Sequence, residues 1–230
     1  MIDLPIHNLQ GQQVGTLQLD NELLGGEVRP GLLKQAYVRI HANKRLGTSK
    51  TLNRHEVNGS TRKLYKQKHT GNARRGDKKS NILRHGAHAH SKKPHSWSQD
   101  MPQKMRRLAN RNALLAKAVD NEIKVVDGLN FDKPSSKQFS SLLSALKIDR
   151  TCLVAVSDVT SSAARSASNL DDVTVTQADR LNVFDLLNHR YLVVDQATLN
   201  AWIDRAKSQV ATAKSKKTIK TAKPVKQETK

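Results

Sequence analysis

A chain of 230 residues with 40 lysines and arginines against 20 acids, net charge +20, has room for one ordinary domain with appendages and not for two large ones. That charge calls for a polyanionic partner. The single cysteine, Cys152, excludes an internal disulfide, no apolar run approaches the ~18 residues of a membrane span, and MIDLPIHNLQ has neither a basic start nor a long apolar stretch. The expectation is a cytoplasmic protein without a secretory signal.

In chain order, IDLPI and QQVGTLQL read as a short hairpin or paired edge strands. Leu32, Leu33, Ala36, Tyr37 and Ile40 fit a helix beginning near Pro30. Residues 1–45 are therefore expected to belong to the globular body. From 46 to 100 the periodicity vanishes, and structureless loops longer than ~12–15 residues are uncommon in compact domains unless functional or disordered. His41 to Trp97 carry fifteen lysines and arginines against only Glu56 and Asp77, and Lys207 to Lys230 carry eight lysines against Glu228. Everything else is balanced, so the chain is a neutral body with two cationic extensions. KQKHTGNARRGDKK (66–79) has no apolar side chain larger than alanine. The segment is expected to be an extended, coreless loop, disordered alone and ordered by a partner that cancels its repulsion.

The second part of the body is expected over 101–206. Met101, Met105, Leu108, Leu115 and Val119 form a helical stripe, with Lys104, Arg106, Arg107 and Arg111 projecting mostly away from it. Ile123 to Asp127 reads as a strand, and Phe139, Leu142, Leu143 and Leu146 as a helix with Pro134 near its start. Further strands are expected at Thr151–Val156, Val173–Gln177 and Tyr191–Asp195. Helices are expected at Ala163–Leu170, Asn182–Asn188 and from Gln196 to Lys207, the last carrying Leu199 and Trp202. Apolar strands alternating with helices predict an α/β fold, a three-layer domain around a mainly parallel sheet of about four strands. Strand order is not derivable. The lysine-rich tail, 207–230, is expected to be mobile or to lie on peripheral RNA.

Lysine and arginine neutralise phosphates and release counterions. The candidate RNA contacts are Lys44, Arg45, Lys50, Arg54, Arg62 and Lys63 on the way out, and Lys66, Lys68, Arg74, Arg75, Lys78 and Lys79 in the middle. Arg84, Lys92 and Lys93 follow on the way back, and Lys104, Arg106, Arg107 and Arg111 lie on the helix at the base. Tyr65 and Trp97 are candidates for stacking on unpaired bases. Seven of nine histidines lie here, and His85, His88 and His90 in RHGAHAH raise zinc as a question. No cysteine and only two acids accompany them, so hydrogen bonding or stacking with RNA, at His69 and His88 among others, is the stronger reading.

Enzyme signatures are thin. No glycine-rich phosphate motif occurs, so no cofactor is called for. Asp158 follows a strand, where a helix-capping role outweighs a catalytic one. Asp171 and Asp172 read as a turn, and Cys152 as core. A solvated linker, a DNA-compacting protein and a nucleotide-dependent enzyme with an RNA-binding insertion are the competing readings.

One resemblance separates them. NKRLGTSKTLNRHEVNGSTRKLYKQKHTGNARRGD is similar to the long internal loop of the bacterial large-subunit ribosomal protein four family, through Arg45–Thr48, Thr51–Val57 and Tyr65–Arg74. MPQKMRRLANRNALLAKA, VVDGLNFDKPSSKQF and LNVFDLLNHRYLVV continue it in order, over about residues 25–206. The resemblance implies a non-enzymatic constituent of the large subunit that binds its ribosomal RNA and aids assembly. It also implies a loop reaching toward the nascent-peptide exit tunnel, near the subunit's twenty-second protein. Tyr65, Lys66, Gln67 and Lys68 match the tip, with Thr70, Gly71, Ala73 and Arg74 behind it. The chain departs from the pattern at Tyr65, where the family has tryptophan, at His69, His85 and Ala87, where it has glycine, and at Asn72, where it has arginine. LRHGAHAHSKKP keeps Arg84, Gly86, Lys93 and Pro94, so its path is expected to differ.

Overall fold

The structure, a computed structural model, describes residues 1–221, with side chains to residue 211. It comprises two compact units, one formed by residues 1–40 with 100 onward and the other by His41–Gln99. The first is built on a six-stranded sheet. β1 (Ile2–His7) and β2 (Gln13–Leu19) form an antiparallel hairpin, and β3 (Ile123–Val126), β4 (Cys152–Val156), β5 (Val173–Gln177) and β6 (Tyr191–Asp195) complete the order β2-β1-β3-β6-β4-β5.

The expected count of about four strands is thus corrected to six. The N-terminal hairpin joins the main sheet because Ile6 and His7 of β1 pair in parallel with Val125 and Val126 of β3. All other pairings beyond the hairpin are parallel. Strand β6 pairs with β3 on one side and β4 on the other, and so joins the two halves of the sheet.

Helices cover both faces. Cys152, Val154 and Val156 point to a core shared with α4 (Ser136–Ala145) and α5 (Ser162–Ala167). Leu153 and Ala155, one residue out of phase, enter the opposite core. That core is closed by α1 (Asn21–Leu24), α2 (Pro30–Asn43), α3 (Gln103–Val119), α6 (Val183–Asn188) and α7 (Gln196–Thr221). The expected tail therefore lies partly within α7, and its last residues, 222–230, fall outside the described ones. Among the described residues no helix is long and apolar enough to cross a membrane.

The expected stripe next to and along α3 holds at Leu115, which is buried, and in part at Met101, Met105 and Leu108, which are half-buried, but fails at Val119. Val119 is 56% exposed, while Ala109, Ala113 and Ala118 are fully buried with Leu114 and Leu115. Small residues let this helix lie close against its neighbours, and Leu114 and Leu115 fill the space beside them. Two polar groups sink with it. The Asn112 Nδ2 donates to the Glu27 carbonyl at 2.6 Å while its Oδ1 accepts from the Arg29 N–H at 2.7 Å. Lys117 donates to Glu122 Oε2 at 2.5 Å and to the Arg190 carbonyl at 2.6 Å. The first fastens the segment leading into α2. The second ties the end of α3 to the starts of β3 and β6.

Side-chain caps explain several helix starts: Ser135, Ser161 and Asn182 each accept an N–H from the first turn of α4, α5 and α6. Asp158 is not a cap. Its Oδ1 accepts the Thr160 N–H at 3.0 Å and its Oδ2 the Thr160 hydroxyl at 2.6 Å, closing a turn ahead of Ser161. These bonds hold its carboxyl below the usual range. Asp172 ends the turn before β5 in a left-handed conformation.

Two measurements test this core. Asn112→Ala removes two hydrogen bonds, from the Arg29 N–H and to the Glu27 carbonyl, and is expected to cost about 1–3 kcal/mol in chemical denaturation. Burial pushes the Cys152 thiol from 9.0 up to about 12. Above pH 9 the unfolded chain therefore loses this proton before the folded one, and stability falls with rising pH by up to about 1.4 kcal/mol per unit. The stability difference between the protein and Cys152→Ala should narrow between pH 9 and pH 11. A constant difference would contradict the buried thiol.

Candidate nucleic-acid interface

Beyond the end of α2, the unit His41–Gln99 contains neither helix nor strand, yet it is folded back on itself. At its base the Gln99 N–H donates to Asn43 Oδ1 at 2.7 Å, and Asn43 Nδ2 donates to the Gln99 carbonyl at 3.3 Å. Moving outward, the His95 N–H meets the Gly47 carbonyl at 3.0 Å and the His88 N–H meets the Leu52 carbonyl at 3.1 Å. Thr51 and Lys92 exchange two bonds, the Lys92 N–H to the Thr51 hydroxyl at 2.8 Å and the Thr51 N–H to the Lys92 carbonyl at 3.0 Å. The Leu64 N–H reaches the Gly76 carbonyl at 3.0 Å, and the Tyr65 hydroxyl donates to the Ala73 carbonyl. Each pair is centred close to Thr70 and Gly71, so the segment is an irregular hairpin with its apex there.

Electrostatics shape it further. Asp77 is 8% exposed and is gripped by Arg54 through two contacts, Nη2 to Oδ1 at 2.8 Å and Nε to Oδ2 at 3.1 Å. Glu56 pairs with Lys50 at 3.0 Å. The Lys50 bond and the Asn53 backbone bond hold the Glu56 carboxyl below its usual range. Both acids of the segment are thereby used within it, and its net charge of +13 finds no further carboxylate in the segment.

The sequence-predicted residues fall into distinct settings. Lys66, Lys68, His69, Thr70, Arg74 and Arg75 are exposed around the apex, where Gln67 also accepts from Lys63 Nζ at 2.8 Å. Arg62, Lys78, Arg84, His88, Lys92 and Lys93 are exposed along the two arms, and Tyr65 and Lys79 are half-buried. Arg45 lies over the Trp97 ring at 3.8 Å, and His95 meets the same indole edge-on at 4.9 Å. That indole face is already occupied. His85, His88 and His90 do not converge, and among the described residues no three metal-ligating side chains come together. On α3, Lys104, Arg106 and Arg107 are exposed, while Arg111 turns inward and donates to the Leu23 carbonyl at 3.2 Å. Burial, and then the neighbouring charge of Arg107, lower the Arg111 pKa.

The backbone is left-handed at two of the positions where the resemblance implied glycine. They are His69 and His85, at φ 66° and 60°. Histidine adopts this conformation at about 1–2 kcal/mol per residue, so the turns are imposed by the rest of the hairpin. Gly47 and Gly86 are needed for another reason: a Cβ at Gly47 would strike the His95 carbonyl oxygen, and one at Gly86 the Ser80 carbonyl oxygen. Sequence reasoning missed Asp77 and the Asn43–Gln99 clasp. A lone acid inside a cationic run was the available signal for the first, and nothing local marked the second.

Residues 17–205 match the model of the ribosomal protein L4/L1 family. The chain belongs to this family. Large ribosomal subunit protein uL4 of Dehalococcoides mccartyi is 38% identical over 195 residues, covering 85% of this chain and 93% of the relative. The protein of the same name from Desulfatibacillum aliphaticivorans is 36% identical over 201 residues, 87% of this chain and 97% of its own. That of Pelotomaculum thermopropionicum is 39% identical over 194 residues, 84% and 94%. The resemblance read from the loop motifs is borne out.

Gly86→Ala should open the turn formed by the Leu83 N–H to the Ser80 carbonyl and the Gly86 N–H to the Leu83 carbonyl. Limited trypsin digestion is expected to cleave after Arg84 faster than in the unaltered chain. Equal rates would show that the turn tolerates a Cβ.

Proposed function

We propose that this chain is a structural constituent of the large ribosomal subunit that binds large-subunit ribosomal RNA through its cationic hairpin. The observation that carries the reading is a segment of net charge +13 whose two acids are both used internally while most of its lysines and arginines face outward. Phosphate is the ligand such a surface fits, and flexible lysines with planar arginines position a backbone without requiring sequence readout. The globular unit anchors and the hairpin penetrates, with its Tyr65–Arg74 apex reaching toward the nascent-peptide exit tunnel beside the subunit's twenty-second protein. The same contacts aid assembly of the subunit. The protein works in the cytoplasmic ribosome and is not an enzyme, as its ribosomal relatives are not. It needs no cofactor and no membrane.

Binding to large-subunit RNA across a salt series tests this. With ~6–10 phosphate contacts, affinity should fall about 10³–10⁵-fold between 50 and 200 mM salt. A variant lacking residues 46–96 should show a much shallower slope, and folded ribosomal RNA should be preferred over duplex DNA. An unchanged slope after the deletion would remove the hairpin as the main contact.

A further inference from the structure

We propose that the outer edge of β2 is a docking site for an extended, cationic segment of another protein, which adds to the sheet as a further strand. The proposal does not rest on the ribosomal-RNA reading, because it concerns a corner of the body whose charge repels phosphate. Residues 1–28 hold four carboxylates, Asp3, Asp20, Glu22 and Glu27, and no lysine or arginine, in a chain of net charge +20. All four acids are exposed, and among the described residues none of them is in an ion pair. Lysine and arginine are drawn to such a corner.

The backbone supplies the seat. β2 ends the sheet, with β1 on its inner side. The His7 carbonyl accepts the Asp127 N–H at 2.8 Å, so His7 turns its main chain toward β3, while Leu4 and Ile6 turn theirs toward Leu17 and Gly15 of β2. By alternation the N–H and C=O groups of Thr16 and Gln18 point away from the sheet, and among the described residues they have no other backbone partner. Sheet edges are commonly blunted by charge, proline or cover. From Gln13 to Leu19 there is neither a charged residue nor a proline. The register shift opposite Ile6 and His7 skips Val14, which is 64% exposed, and leaves Gly15–Leu19 regular. At the opposite edge, β5, side chains are tied back into the body: Thr174 shares a hydrogen bond with His189 at 2.9 Å, and Gln177 Nε2 donates to the Ser157 carbonyl at 3.3 Å.

The side chains choose the occupant. On the core side of β2, Leu17 is half-buried, as are Ile2 and Leu23 of the same cluster. On the other side Thr16 and Gln18 are exposed, and Asp3 pairs with Gln18 across the hairpin. A strand added about 4.8 Å beyond β2 would rest alternate apolar side chains beside Leu17. Its intervening lysines or arginines would reach past Gln18 toward Asp3. Glu22 and Asp20, whose Oδ1 accepts the Glu22 N–H at 3.0 Å, stand where β2 ends. The fitting segment therefore alternates apolar and basic residues, and main-chain pairing supplies the rest of the attraction. A second copy of this chain suits the edge poorly, since pairing β2 with itself would bring these carboxylates against their own kind.

The test uses the full chain and, as probe, a capped peptide of alternating valine and lysine, seven residues long to match β2. The probe has the sign of the protein's own net charge, so general attraction does not deliver it. Its binding should slow amide hydrogen exchange at Thr16 and Gln18 by about tenfold or more and leave Val175 on the β5 edge unchanged. A valine–glutamate peptide should not bind. Thr16→Pro removes an outward N–H that the ladder does not use, so the body should keep its Tm while probe affinity falls about tenfold or more. Asp3→Asn with Glu22→Gln should weaken the probe by up to about fivefold per carboxylate, and less at high salt. Binding of large-subunit RNA should be the same in Thr16→Pro as in the unaltered chain. No binding of the probe, or binding without protection at Thr16 and Gln18, would overturn the proposal even if Thr16→Pro failed to fold. Equal binding of the two peptides would overturn the cationic partner. Dimerisation of the chain alone, abolished by Thr16→Pro, would give the edge to a second copy. Loss of RNA affinity in a folded Thr16→Pro would give it to RNA. Either result would overturn the proposal, and none of these outcomes depends on whether the hairpin binds RNA.

Discussion

Asp77 is the one charge of the hairpin that lies buried, and the shape of the hairpin turns on it. Arg54 belongs to the outgoing arm and Asp77 to the returning one, so their two-point grip joins strands of chain that share no β-ladder. The Arg54 Nε donates to Oδ2, a charge-assisted bond stronger than a neutral one, while Nη2 lies in ion-pair contact with Oδ1. With the arms aligned there, backbone pairs fall into place on either side, from Leu64–Gly76 near the apex to Gly47–His95 near the base. The remaining cations then repel one another on the outside of a scaffold that has no acid left to quiet them. That is a surface whose free energy drops when phosphate is laid against it.

On α3, packing and charge divide along the helix. Its alanine face is fully buried, its first turns carry Lys104, Arg106 and Arg107 outward, and Arg111 stands at the boundary. By donating to the Leu23 carbonyl, Arg111 supplies a partner for the last turn of α1, a group a helix end leaves open. It therefore positions the fold, whatever its neighbours bind. Lys117 acts similarly deeper in: one ammonium satisfies a carboxylate and a carbonyl from two different strand starts. Such a buried pair gives little net stability over an apolar substitute, but removing one partner leaves a stranded charge.

The elements of the body were legible because local chemistry and tertiary fate agree. CLVAV is buried at every position, as an apolar run in a parallel sheet covered on both sides should be. Legibility failed where the outcome depends on partners far along the chain. Nothing in IDLPIH says that its last two residues, Ile6 and His7, will pair with Val125 and Val126, and nothing in the order of the runs says that β6 will sit at the centre. The α3 stripe was right at Leu115 and wrong at Val119, and it passed over Ala109, Ala113 and Ala118 because alanine carries little weight in a hydrophobic pattern. In the hairpin, the cationic surface was evident from composition. Its internal order was not, since it rests on side-chain-to-backbone bonds such as Asn43 with Gln99, which follow no periodicity.

The place of β6 has a further consequence for how this protein is made. Translation delivers the β1–β2 hairpin, then the cationic segment, then β3, β4 and β5, and only afterwards the strand that lies between β3 and β4. Until Tyr191–Asp195 emerges, the sheet exists at most as two separate pieces, each with an open apolar edge. A nascent chain thus presents its cationic arm well before its own body can close, and a ribosome stalled short of residue 191 would hold a sticky, half-zipped product. Completion of the body is a late insertion event that awaits the last of its six strands.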